Sequence, residues 1–182
     1  NSDEKLEIGK GRIIQEGKKL AIINFGARLQ ECLNASINLK KKGINITIAD
    51  ARFAKPLDEN LIWQLATDHE SIITIEEGSI GGFGSHVAKF LSDRGIFDKG
   101  LKFRSMILPD LFIDQEKKKK MYEKAGLDSL SIANKIEETL KAAENLKKKG
   151  VNITIVDARF AKPLDENLIW QLATTHEAIV TI

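Results

Sequence analysis

The chain has 182 residues, 42% hydrophobic and 30% charged, which is the balance of a soluble globular protein and not of a disordered one. Its 28 Lys and Arg against 26 Asp and Glu leave a net charge of +2, too near neutral to point to a nucleic-acid partner. With a single cysteine, Cys32, and no apolar run near the roughly 20 residues of a membrane helix, disulfide scaffolds and membrane spans are excluded. Asn1–Lys5 carries no initiator Met and no apolar signal core, and Ala178–Ile182 stops on an apolar run without a turn. Both ends read as cut, and a fragment of a cytoplasmic protein is expected.

Leu20–Phe25 is a short apolar run ending at Gly26, the pattern of a buried strand. From Ala27 to Lys42 the apolar positions Leu29, Cys32, Leu33, Ile37 and Leu39 fall at helical spacing, and Gly43 supplies a C-terminal stop. Ile44–Asp50 alternates and is β-branched, a second strand. Pro56 disfavours helix at Lys55, after which Leu57–His69 reads as a helix with Leu61, Ile62, Leu65 and Ala66 on one face. Ser71–Ile75 is a third strand, Glu76–Gly84 a loop, and Ser85–Arg94 a helix stopped by Gly95. Phe103–Leu108 is a fourth strand ended by Pro109, and Gln115–Ala125 and Asp128–Lys149 read as helices. Short strands alternating with helices predict an α/β fold in three α/β/α layers with a largely parallel sheet, because parallel crossovers need a helix.

A shift of 107 positions lays Ala142–Ile182 over Ala35–Ile75 with seven differences, and Asp50–Thr67 recurs unchanged as Asp157–Thr174. This spacing is far longer than the roughly 20–50 residues of solenoid repeats. Two readings stand: a join of two closely related sequences near Leu140, or a tandem domain cut short. In either, residues 141–182 are a partial repeat of residues 34–75 with too few elements to bury a core of their own. Val151–Val156 duplicates Ile44–Ala49 and is expected to compete for the same place in the sheet.

Ligands of open α/β sheets collect at the carboxyl ends of the strands. Three segments converge there: Asp50–Phe53 after the second strand, Glu76–His86 after the third, and Pro109–Asp114 after the fourth. A strand, glycines and a helix N-terminus can present backbone N–H groups to an anion. The glycines at 78, 81, 82 and 84, however, match neither dinucleotide nor P-loop spacing, and Glu76 and Glu77 would repel a phosphate. These glycines also suit tight turning against a neighbouring domain. His86 lacks a spaced Ser or Cys nucleophile, so no triad is predicted. His69 and His176 share a repeat position at a helix C-terminus, a structural place. Arg52 and its copy Arg159 could pair an anion or, equally, Asp50 or Glu76 inside the protein. No histidine pair suggests a metal site. The lysine runs at 40–42, 117–120 and 147–149 lack interleaved aromatics, which argues against nucleic acid.

The blocks D-A-R-F-A-K-P-L-D at Asp50–Asp58, I-E-E-G-S-I-G-G-F-G-S-H-V at Ile75–Val87 and L-P-D-L-F-I-D-Q at Leu108–Gln115 resemble, in order and spacing, the C-terminal domain of 1-deoxy-D-xylulose-5-phosphate synthase. The resemblance covers about Ile8–Leu140, and in part again Ala142–Ile182. The second block is shared more loosely across the transketolase superfamily. The resemblance implies a five-stranded mixed, mostly parallel sheet of the transketolase C-terminal type over 13–140, preceded by an interdomain linker over 1–12. It implies a parent enzyme that uses thiamine diphosphate and Mg²⁺ to condense pyruvate with D-glyceraldehyde 3-phosphate, a step toward isoprenoids and thiamine. In that family the upstream domains grip the cofactor through a G-D-G motif, which this chain lacks, so no catalytic, cofactor or metal residue maps onto it. The implied partners are those upstream domains and a second subunit of a homodimer. Asp50, Arg52, Glu76, Glu77, Gly81, Gly82, His86 and Asp110 are the expected interdomain-facing residues. Alternatives are a free-standing interaction or regulatory module of the same fold, or the C-terminal domain of a 2-oxoacid dehydrogenase β subunit, against which L-P-D-L-F-I argues.

Overall fold

The computed structural model describes residues 6–148 and 166–175. In chain order these are β1 (Arg12–Gln15), β2 (Leu20–Phe25), α1 (Leu29–Lys40), β3 (Thr47–Asp50), α2 (Glu59–Asp68), β4 (Ser71–Glu76), α3 (Phe83–Asp93), a 3₁₀ turn at Phe97–Lys99, β5 (Lys102–Met106), α4 (Lys118–Lys124), α5 (Ser129–Lys148) and α6 (Glu166–Thr175). Five strands form one sheet in the order β1-β3-β2-β4-β5. Only β1 runs antiparallel, against β3; the other three pairings are parallel. This is the expected three-layer α/β/α fold with a mixed sheet.

Strand alternation splits the core into two. Leu20, Ile22, Ile48, Ile73 and Ile75 point to the face covered by α1 and α5, where Cys32, Ala35, Leu39, Ile132 and Ile136 are buried. Ala21, Ile23, Ala49, Ile72 and Phe103 point to the opposite face, under Ile62, Leu65 and Ala66 of α2 and Phe83, Val87 and Leu91 of α3. Side chains buried on both faces explain why β2 and β4 are mainly apolar and do not alternate apolar with polar.

The boundaries move where local hydrogen bonds compete with the ladder. The second strand is three residues shorter than its alternation predicts. Ile44 N–H returns to Leu39 O to close α1, and Asn45 and Ile46 give their carbonyls to Lys18 N–H and to Gln15 Nε2. Gly43, at φ 74°, makes the turn that lets α1 end. Helix α3 starts two residues early, at Phe83, because a side chain caps it from the strand below. Arg12–Gln15, which straddles the expected boundary between residues 12 and 13, supplies the antiparallel strand. Its four residues with two isoleucines are too short for a period-2 signal, and Gln15 secures it by donating to Ser36 Oγ at 2.7 Å.

Helix α5 runs unbroken through Leu140, so the start of the repeat, Ala142–Lys147, is helical like its counterpart Ala35–Lys40 in α1. Helix α6 matches α2 in place and length. Val151–Val156, Arg159 and His176 lie outside the described residues.

Candidate functional site

The carboxyl edge of the parallel strands brings together the three segments expected there. At its centre is Glu76, the last residue of β4. Its carboxylate accepts Phe83 N–H at 2.9 Å and Gly84 N–H at 2.7 Å, capping α3 from beneath. The loop between them closes over this carboxylate. A Cβ on Gly82 would run into its oxygens, and a Cβ on Gly84 would strike the hydroxyls of Ser105 and Thr74, themselves hydrogen-bonded at 2.8 Å. Glycine is required here by close approach to a side chain of the same chain. The positive end of the α3 dipole is therefore already neutralised by an internal anion.

Glu76 is buried, so its carboxylate is turned into the chain, unlike the outward place expected for it. Glu77 points the other way, toward α1. Its Oε1 lies 2.8 Å from Arg28 Nε in an ion pair, at an angle short of a hydrogen bond. The Arg28 guanidinium stacks on the Tyr122 ring at 3.6 Å. The Tyr122 phenol is held above its ordinary 10.0, first by its hydrogen bond to Glu77, then by desolvation. Arg28, Glu77 and Tyr122 thus pin α4 and the glycine loop to the start of α1. Sequence reasoning missed Arg28 and Tyr122; Arg28 follows Gly26 at the end of β2, and Tyr122 is the only tyrosine.

Asp50, at the end of β3, faces two arginines. Arg12 Nε approaches its Oδ2 at 3.5 Å and Arg52 Nε at 3.9 Å. Arg52 adopts φ 58°, rare for a side chain other than glycine, and its N–H reaches Asp50 Oδ1 at 3.3 Å. Of the internal pairings open to Arg52, the one with Asp50 is present. Gly81 is exposed, with Gly82 and His86 half-buried on either side of the start of α3. Gly81 N–H donates to Ser85 Oγ, and His86 N–H to Gly82 O. Asp110 is exposed beyond β5, in a segment tied to the glycine loop by Leu108 N–H donating to Gly78 O at 2.9 Å. Around this tie Ile80, Leu111 and Phe112 are exposed, Phe112 to 91%.

His69 lies at the other end of the sheet. Its Nδ1 donates to Leu65 O and its Nε2 accepts from Thr47 Oγ1, which fixes the end of α2 against β3. Burial pushes the Cys32 thiol from 9.0 up to about 12, the opposite of what a nucleophile needs. Among the described residues no group of three or more His, Cys, Asp or Glu side chains could hold a metal ion. With the α3 N-terminus filled by Glu76, these residues do not fit a magnesium-bound diphosphate, and no chemical step is assigned to them. No described helix is long and apolar enough to cross a membrane.

Two solved structures share this fold. A split-gene transketolase, in an inactive β4 tetramer, is 27% identical with a TM-score of 0.68, over 78% of this chain and 44% of that one. The transketolase of Campylobacter jejuni subsp. jejuni NCTC 11168 is 16% identical with a TM-score of 0.53, over 71% of this chain and 18% of that one, and shows the fold alone. The chain thus spans less than half the length of either. The family model for the transketolase C-terminal domain matches residues 9–132 and again 130–182. With that match over most of its length and the mixed five-stranded sheet beneath it, the chain belongs to the transketolase C-terminal domain family.

Proposed function

We propose that this chain is the C-terminal domain of a thiamine-diphosphate-dependent 1-deoxy-D-xylulose-5-phosphate synthase. Such an enzyme joins pyruvate to D-glyceraldehyde 3-phosphate with loss of CO₂, in the cytoplasm, for isoprenoid and thiamine synthesis. The observation that carries the reading is the pair of blocks at Asp50–Asp58 and Leu108–Asp114, which follow β3 and β5 and meet the same sheet edge. The domain's role is architectural. Upstream domains hold the cofactor and Mg²⁺, and Glu77, Gly81, Gly82, His86, Asp110, Asp50 and Arg52 line the edge that faces them or the second subunit of a homodimer. Exposed Ile80, Leu111 and Phe112 support a docking role for that edge, since apolar side chains grouped on a surface mark contact sites. The inactive state of the split-gene relative agrees with a domain that does no chemistry by itself. Residues 141–182 read as a partial second copy, supported by the second family match.

Two measurements test this. Calorimetric titration of the chain with thiamine diphosphate and Mg²⁺ should give no binding heat. Co-expression with the two upstream domains of a synthase should restore formation of 1-deoxy-D-xylulose 5-phosphate. Tight cofactor binding by the chain alone overturns the architectural role; restored ketol transfer between sugar phosphates without pyruvate condensation overturns the synthase assignment.

A further inference from the structure

The repeat leaves the chain with two copies of one helix. Glu59–Thr67 of α2 and Glu166–Thr174 of α6 are identical, and the tenth residue, Asp68 or Thr175, is exposed in both. The structure shows what covers this sequence when it is seated. Ile62, Leu65 and Ala66 are buried against Val87 and Leu91 of α3 and the apolar face of the sheet. Trp63 packs at the rim, near Arg94 and Lys99. Asp58 holds the N-terminus by accepting Leu61 N–H at 3.1 Å and Gly11 N–H at 3.0 Å.

In α6 two of the corresponding apolar residues are exposed and Leu172 is half-buried. Ile169 is 38% exposed where Ile62 is 2%, and Trp170 is 73% exposed. We propose that α6 is a second occupant for the α2 seat: when α2 is lost from the face of α3, α6 of the same chain takes its place. The seat lies on α3 and on the sheet and stays in place when α2 leaves it, so it presents α6 with the partners it gives α2. Asp165 is the counterpart of Asp58 in the sequence. The tether is long enough. Residues 149–165 can extend to about 60 Å, whereas a domain of this size is about 37 Å across, so α6 can pass from the α5 side around the sheet edge. Short connections to β3 and β4 give α2 precedence in the intact chain, and α6 acts as a spare.

The test uses the full chain and a charge placed at one apolar position shared by both copies. In wild type, Leu172→Asp should leave the thermal midpoint unchanged, because α2 fills the seat. Leu65→Asp should still unfold cooperatively, at a lower midpoint. Adding Leu172→Asp to Leu65→Asp should lower that midpoint by about 5 °C or more, or abolish the transition. If Leu172→Asp has the same effect in both backgrounds, including the case in which Leu65→Asp alone fails to fold, the proposal is overturned. A Leu65→Asp midpoint that rises with protein concentration overturns the same-chain assignment, because the rescuing helix would then come from another molecule.

Discussion

Removing the carboxylate of Glu76 leaves Phe83 N–H and Gly84 N–H buried without an acceptor. Two charge-assisted bonds are lost, so Glu76→Ala should cost about 2–4 kcal/mol, read as a fall in the denaturant midpoint at unchanged slope. Glu76→Gln keeps one acceptor and should cost less than half as much. Cys32 contributes to the alkaline side of the pH dependence. Its folded-state pKa, about 12, lies above the ordinary 9.0, so its contribution is whole below pH 9 and is lost as pH rises toward 12. Tyr122, also raised, acts in the same direction. Cys32→Ala should therefore flatten, without abolishing, the alkaline decline in stability, as followed by urea unfolding at stepped pH. The sequence placed Glu76 at the right edge, but nothing in its spacing separates a carboxylate turned under a helix from one facing out. That choice is made by Gly82 and Gly84, whose missing side chains leave the room. Arg28 and Tyr122, 94 residues apart, were illegible for a related reason: their contact exists only once α4 is folded back over the glycine loop.

Among the elements, α2 depends on one side chain that serves two masters. Asp58 caps the helix and also holds Gly11, just before β1. Asp58→Ala should cost about 1–2 kcal/mol and also loosen the N-terminal strand, seen as faster amide exchange in Arg12–Gln15 than in β2. Where periodicity was long, as in β2, β4, α1 and α3, the sequence indicated the element to within a few residues. It failed at β1, whose place depends on pairing with β3 and on the Gln15–Ser36 bond, both long-range. It overextended the strand at Ile44–Ile46, where a helix ending and a bonded side chain outcompete the ladder. Among the described residues β5 is the outermost strand on its side, and it alternates Lys102 and Arg104 with Phe103, charges that discourage pairing with another chain's strand.

At the scale of the molecule, the sheet and its two cores account for most of the buried side chains, and α4 stands apart from them. None of its residues is fully buried, and Tyr122 and Ala125 only rest against the core. Its hold on the rest is the stack of Tyr122 on Arg28 and the shared carboxylate of Glu77. Stability in such a molecule is unevenly spread, and the piece with the least buried surface opens first. Amides of Met121 and Ala125 should exchange with solvent well before those of Ile22 and Ile73, and Arg28→Ala should widen that gap. When α4 lifts away, Glu77 loses the Tyr122 phenol but keeps its ion pair with Arg28, and Leu108 N–H still holds Gly78 O, so the glycine loop stays on the sheet edge. The short helix thus works as a latch beside a loop that is fastened without it, and any partner resting on that edge also sets how often the latch opens.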